Sequence, residues 1–258
     1  MNSTEDRRAE SRMEEDGLRG RSRDRPDDSM AEVRIEEITD ERTALAHETL
    51  ELIAASFAPQ DRHPLSELRS EIAEKRLGLL AGYDFHLYAA VREREKPLAA
   101  VAGMYLAGVN AGFTAYLAVH PDAQGQGIAR EVRSVLVDAF RENARQAGFP
   151  ELAWVLGEVR LDSPWLRNLM STRGAIPFDL TYCHPGMPLG GASAPYALYR
   201  EPIGDTRREI PAHELRQVLY AVWRRGYRVR YPLERDTFVD MLEQLEGRDM
   251  VGPHPGVE

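Results

Sequence analysis

The chain has 258 residues, is 43% hydrophobic, carries a formal net charge of −9 and holds one cysteine, Cys183. That length and apolar fraction suffice for one sizeable core, the acidic balance argues against nucleic-acid partners, and a lone cysteine excludes a disulfide framework and fits a reducing cytoplasm. No run of about 18 apolar residues or signal-peptide stretch is present, so no membrane association is expected, and the seven histidines show no metal-ligand spacing.

Residues 1–29 carry seven arginines and nine acids with almost nothing apolar. Such a segment cannot bury enough surface to offset its ordering entropy, so it reads as a disordered charged tail. Ordered sequence begins near Met30. "EVRIEEI" alternates as an edge strand, and "ERTALAHETLELIAASF" sets Leu45, Thr49, Leu52, Ile53 and Phe57 on one helical face, with Asp40 as its N-cap. "PLSELRSEIAEKRLGLL" predicts a second helix with Leu65, Leu68, Ile72 and Leu79 inward. Three strands follow, "YDFHLYAAVRE", "LAAVAGMYLAG" and "AGFTAYLAVH". Their short separations predict antiparallel neighbours.

The stretch "VHPDAQGQGIAR" then opens a long amphipathic helix. Ile128, Val132, Val135, Leu136, Ala139 and Phe140 face inward, and Arg130, Arg133, Asp138 and Arg141 face water, with Gly148 closing the helix. "ELAWVLGEVRL" is a strand, and "SPWLRNLMSTRG" a short helix capped by Ser163 and closed by Gly174. Two last strands, "FDLTYCH" and "PYALYRE", flank the glycine-rich "PGMPLGGASA". Beyond Pro202, two amphipathic helices carry stripes of Leu215, Val218, Leu219, Val222, Trp223 and of Phe238, Met241, Leu242, Leu245. They form a helical extension that must cover the main domain or a second subunit, the latter giving a homodimer. The last residues, "GRDMVGPHPGVE", read as frayed.

"QGQGIA" fits the pattern Gln/Arg-x-x-Gly-x-Gly/Ala at Gln124, Gly127 and Ala129. With this element order, the chain resembles the GNAT superfamily of N-acetyltransferases over roughly residues 32–202. The physics of the motif agrees: a helix N-terminus offers about four unpaired N–H groups and a positive dipole end, which hold phosphate oxygens. Bare Gly125 and Gly127 leave room for a diphosphate.

The resemblance implies an α/β (α+β) GNAT fold: a mixed, mostly antiparallel sheet flanked by helices. The expected organisation is a tail over 1–29, an acyltransferase domain over 30–203 and a C-terminal helical extension over 204–258. It implies acetyl-CoA as co-substrate, no metal, and transfer to a small-molecule or lysine-like amine by direct attack. The donor would be held by Leu117, Ala118 and Val119 along the strand and by Gln124, Gly125, Gln126, Gly127, Ile128, Ala129 and Arg130 at the turn. Val119 N–H would polarise the thioester carbonyl. Glu158 is the candidate base. Where many family members carry a tyrosine in the short helix, this chain has Met170. Tyr182 is therefore the first candidate for the acid, with His184 and Tyr116 as substitutes. Cys183 alternates with Tyr182 and faces away, and Asn168 stands where an asparagine often contacts CoA. The rival readings are a CoA-binding regulator that has lost catalysis, and a thioester hydrolase or decarboxylase on the same fold.

Overall fold

The computed structural model of the protein describes residues 32–92, 96–186 and 194–256. The charged tail over 1–29 and most of the glycine-rich loop lie outside these residues. Along the described chain come β1 (Arg34–Glu37), α1 (Ala44–Ser56), α2 (Leu65–Arg76), β2 (Tyr83–Val91), β3 (Ala99–Leu106), β4 (Ala111–Val119), α3 (Ile128–Gln146) and β5 (Trp154–Val159). Then follow α4 (Pro164–Arg173), β6 (Ile176–Pro177), β7 (Tyr182–His184), β8 (Ala194–Pro202), β9 (Ile210–Pro211), α5 (Ala212–Ala221), α6 (Asp236–Glu243) and β10 (Met250–Val251).

The main sheet runs β1–β2–β3–β4–β5–β8–β6, with β7 paired to β8. The pairing is antiparallel except between β4 and β5, which are parallel. This is the mixed, mostly antiparallel sheet expected, with helices on both faces. Alternation sorts the strand side chains. Phe85, Leu87, Ala89, Ala100, Ala102 and Met104 belong to one core layer under α1, α2 and the C-terminal helices. Tyr88, Ala90, Ala99, Val101 and Tyr105 belong to the other, under α3. α3 seats Ile128, Val132, Leu136 and Phe140 there, all buried, each contributing about 1.5–3 kcal/mol.

The C-terminal helices are part of the core. Leu215, Leu219, Val222, Trp223, Phe238 and Met241 join the same layer as Phe113, Leu156 and Tyr182. The end of the chain is anchored: β10 pairs with β9, Asp179 N–H donates to the Gly252 carbonyl, and Phe178 bridges to Pro253. The frayed end expected from the sequence is therefore corrected as far as residue 256. Other local expectations also change. The N-cap of α1 is Thr43, whose side chain accepts from Ala46 N–H, while Asp40 pairs with Arg42. α2 stops at Arg76, so Leu79 is 65% exposed. Arg133 turns inward to a buried ion pair with Glu201 on β8.

Candidate active site

Pairing between β4 and β5 lasts only from Ala111 to Thr114, opposite Trp154 to Gly157. β4 continues to Val119 against β3. Its far edge is therefore open from Ala115 onward, and exposure along the strand rises from Thr114. A bulge causes part of this. Ala102 pairs with Tyr116 and Gly103 with Thr114, leaving Ala115 as the extra residue. The bulge also resets the alternation, so Phe113, Tyr116 and Ala118 all point into the layer beneath the C-terminal helices.

The open edge has a defined polarity. His120 N–H donates to the Leu98 carbonyl at the end of β3 at 2.8 Å. Alternation along the strand then turns the N–H groups of Ala118 and Tyr116 toward β3 and those of Leu117 and Val119 toward the gap. Next along the chain, Gly125 and Gly127 have φ of 77° and 82°. This left-handed region favours glycine. A Cβ at Gly125 would meet nothing within 4 Å, and one at Gly127 only the Arg130 guanidinium at 4.0 Å. Gly127 caps α3 without a side-chain acceptor; the Arg130 N–H already donates to the Gly127 carbonyl at 3.0 Å, and those of Ile128 and Ala129 are left for an anion.

A cavity of about 880 Å³ joins these features. Leu117, Ala118, Val119, Gln124, Gly125, Gly127, Ile128 and Ala129 line it, together with Leu52 and Phe57 of α1 and Trp165 of α4. The side chains of two of the expected donor residues turn elsewhere. The Gln126 side chain donates to the Asp122 carbonyl and accepts from Arg92, while Arg130 lines a separate polar pocket with Arg133 and Arg173.

Across the gap, Glu158 points from β5 into the core, its side chain 8% exposed. His184 Nε2 lies 3.4 Å from its Oε1. His184 Nδ1 accepts the Gly186 N–H at 3.0 Å, so the ring proton of neutral His184 sits on Nε2 and faces the carboxylate. Oε2 has no hydrogen-bond partner. The Tyr227 and Tyr182 hydroxyls lie beside the carboxyl. Burial raises its pKa, against the opposing pull of His184 and the two hydroxyls. Burial likewise holds the Tyr182 and Tyr227 hydroxyls protonated well above the usual tyrosine range.

Tyr227 also packs edge-on against His184, Phe113 and His63, at centroid distances of 4.9, 5.6 and 5.7 Å. His63 is fully buried and both its ring nitrogens lack partners; burial lowers its pKa to about 4. Its main-chain N–H donates to the Tyr116 hydroxyl at 2.8 Å. Tyr116 in turn meets Phe57 edge-on at 5.2 Å. Phe57 lines the cavity, so cavity and buried polar cluster share a wall.

The structure thus brings Glu158, Tyr182, His184 and Tyr116 together. Cys183 faces away, its N–H on the Met241 sulfur at 3.4 Å and its thiol pKa raised by burial. Met170 borders a different pocket with Arg160 and Asp162, and Asn168 lies exposed on α4. Tyr227 and His63 were not expected. Tyr227 sits in an arginine-rich segment and His63 in a short loop, and no spacing links either to Glu158.

Residues 47–174 match the acetyltransferase (GNAT) family. The chain carries a GNAT acetyltransferase domain. Members of this family transfer acyl groups from acyl-CoA to amines. A solved GNAT-family protein from Bacteroides thetaiotaomicron is similar to this GNAT chain at 15% identity and a TM-score of 0.54, covering 76% of this chain and 99% of its own. An acetyltransferase structure from Acinetobacter baylyi covers 68% of this chain and 95% of its own at 16% identity and TM-score 0.49. The ribosomal-protein-S18-alanine N-acetyltransferase of Escherichia coli covers 68% and 97%, at 16% identity and TM-score 0.44. No curated protein sequence matches the chain. Among the described residues, no helix is long and apolar enough to cross a membrane.

Proposed function

We propose that the protein transfers an acetyl group from acetyl-CoA to a small cationic amine, by direct attack of the amine on the thioester. One observation carries this reading. The open edge of β4 and the uncapped start of α3 line one cavity, and a buried carboxylate, Glu158, stands on the facing strand behind the Phe57–Tyr116 wall of that cavity.

The residues fit the donor. The cavity runs along Leu117–Val119 to the two left-handed glycines, whose bare backbone admits a diphosphate at a helix N-terminus. The donor supplies an activated thioester; the chain's own groups do the rest. The Val119 N–H, turned toward the gap, would serve the thioester carbonyl as an oxyanion donor. Glu158 Oε2 takes the proton from the acceptor ammonium, while His184 Nε2–H steadies Oε1. A raised carboxyl pKa brings the base closer to neutrality, where general-base catalysis is most effective. Tyr182 stays protonated through the working range. It therefore acts as a hydrogen-bond donor beside the reacting groups rather than by surrendering its proton to a thiolate of pKa near 8.5. The second amine proton, lost as the C–N bond forms and the C–S bond breaks, goes to the leaving thiolate or to solvent, so the thiolate needs only such modest help.

Glu158 lies beneath Tyr227 and beside Tyr182. That enclosure favours a free amine over a lysine on a folded partner. A buried carboxylate among aromatic rings suits a compact cation.

The test is release of free CoA thiol from acetyl-CoA against a panel of small amines, diamines and a lysine peptide. Amine-dependent release supports the reading. Release without amine points to a hydrolase. Tight acetyl-CoA binding with no release under any condition points to a regulator and overturns it.

A further inference from the structure

A second polar pocket lies on the C-terminal segment. It has a volume of about 480 Å³ and is lined by Arg224, Arg225, Arg228 and Arg230, with Glu74 and Tyr83 opposite. Four arginines within seven residues are unusual for a chain of net charge −9. Only one is neutralised: Arg228 Nη2 donates to Glu74 at 2.7 Å. Among the described residues, Arg224, Arg225 and Arg230 make no ion pair. Two of these three are fixed by aromatic rings instead. The Arg225 guanidinium lies 5.6 Å from the Tyr83 ring centroid and that of Arg230 5.3 Å from Tyr231. Stacking holds the guanidinium planes in place and leaves their N–H groups free to bind an oxyanion.

The backbone beneath is irregular in two ways. Val222–Gly226 form a π-helical turn, and Arg228 adopts a left-handed φ of 52°. π-turns and strained non-glycine residues concentrate at functional sites. The strain at Arg228 sets its side chain into the pocket wall, where Nη1 is buried with no acceptor.

We propose that this pocket binds a phosphate-bearing ligand, separately from the acyl-CoA cavity. Three uncompensated guanidinium groups around one concavity match a dianionic phosphate in charge and in fork geometry. A second copy of the donor's diphosphate is not required, because that site lies at the start of α3, lined by different residues. The proposal goes beyond the transferase reading and does not depend on it. Its consequence for that reading is structural: Arg228 follows Tyr227 directly, so a ligand that fixes this turn also fixes the ring that covers Glu158.

Calorimetric titration with inorganic phosphate, in chloride buffer at constant ionic strength, tests it. Wild-type protein is expected to bind phosphate at millimolar concentration or below. The double variant Arg225→Gln/Arg230→Gln is expected to bind at least about tenfold more weakly, since each loses a charge-assisted contact. Glu74→Gln removes the one carboxylate in the pocket and is expected to tighten binding. All titrations are run with saturating acetyl-CoA, so that the anion-binding turn at the start of α3 is occupied and the arginine pocket alone is read. Equal affinity in the double variant or no binding to wild type under these conditions would each overturn the proposal. None of these results reads turnover, so failure here is distinct from failure of the transferase reading.

Discussion

Glu158→Gln isolates proton transfer from everything else in the site. The change keeps the size of the side chain, and its carbonyl can still accept from His184 Nε2–H, now 3.4 Å from Oε1. What is lost is the basicity of the carboxylate, which the neighbouring Tyr182 and Tyr227 hydroxyls cannot replace. A positioned proton-transfer group contributes about 10²- to 10⁴-fold, or roughly 3–5.5 kcal/mol of barrier at 1.36 kcal/mol per decade. Turnover should fall by that factor, while acetyl-CoA affinity barely changes, because the glycine turn lies elsewhere. Tyr182→Phe should cost less. The pH profile carries the second half of the test. Burial raises the Glu158 pKa, so the wild-type acidic limb should lie above the ordinary carboxylate range and vanish in the variant. The same shift has a stability sign. A group whose folded pKa is raised stabilises the fold at low pH and loses that contribution as pH rises through the folded value. Glu158→Gln removes the loss, so its melting temperature should equal or exceed wild type above neutrality. The assay is steady-state kinetics against pH beside thermal melts. Wild-type turnover with the same acidic limb would make Glu158 a bystander and shift attention to Tyr116, Tyr182 and His184.

Gly127→Val should leave the protein folded by circular dichroism yet remove acetyl-CoA binding in calorimetry, because φ of 82° is strained for a branched residue and its side chain would fill the anion's place. Trp223→Ala should lower stability by about 3–5 kcal/mol in urea unfolding, since Trp223 is fully buried in the shared core layer. Glu71 is buried with neither oxygen partnered, and its pKa is raised to about 8. Its contribution is present at low pH and fades as pH rises toward and through about 8, on the order of 5 kcal/mol in all, so Glu71→Gln should be most stabilising, relative to wild type, near pH 9 in unfolding titrations.

Much of the donor half was legible because local rules govern it. Glycines before an amphipathic helix, with a strand ahead, specify a turn of left-handed backbone left bare at the helix start, as Gly125 and Gly127 form it. The strands of β2, β3 and β4 were legible from alternation and hairpin lengths. What alternation could not reveal is the bulge at Ala115. Strict period two sets Phe113 and Tyr116 on opposite faces, and one extra residue brings them to the same side. Arg133 failed for a related reason. Its helical angle points it to the surface of α3, but Glu201 arrives from β8, 68 residues later, and pulls it in. Leu79 failed because the helix ends before it. Glu158, Tyr182 and His184 could each be proposed from strand position, and the fold brings them together through β8, which pairs with both β5 and β7.

The division of the site follows the division of the sequence. The family match ends at residue 174, and the cavity, the glycine turn and Glu158 all fall within it. The groups that surround Glu158 mostly do not. Tyr182 and His184 come from β7, and Tyr227 comes from the turn after α5, beyond even the last strand of the main sheet. That turn is held from two sides. Trp223, beside the Tyr182 hydroxyl, packs on Phe238 of α6 at 5.0 Å, and Arg228 ties it to α2 through Glu74. A segment anchored to both a helix of the extension and a helix of the main domain cannot shift without moving Tyr227 against the carboxylate. The charge and volume beside Glu158 are thus set by β7 and by the C-terminal extension, both beyond the matched residues, while the cavity and glycine turn proposed for the donor lie within them. On the transferase reading, acceptor choice belongs to residues after 174, and substitutions there should alter the amine preference before they alter acetyl-CoA affinity.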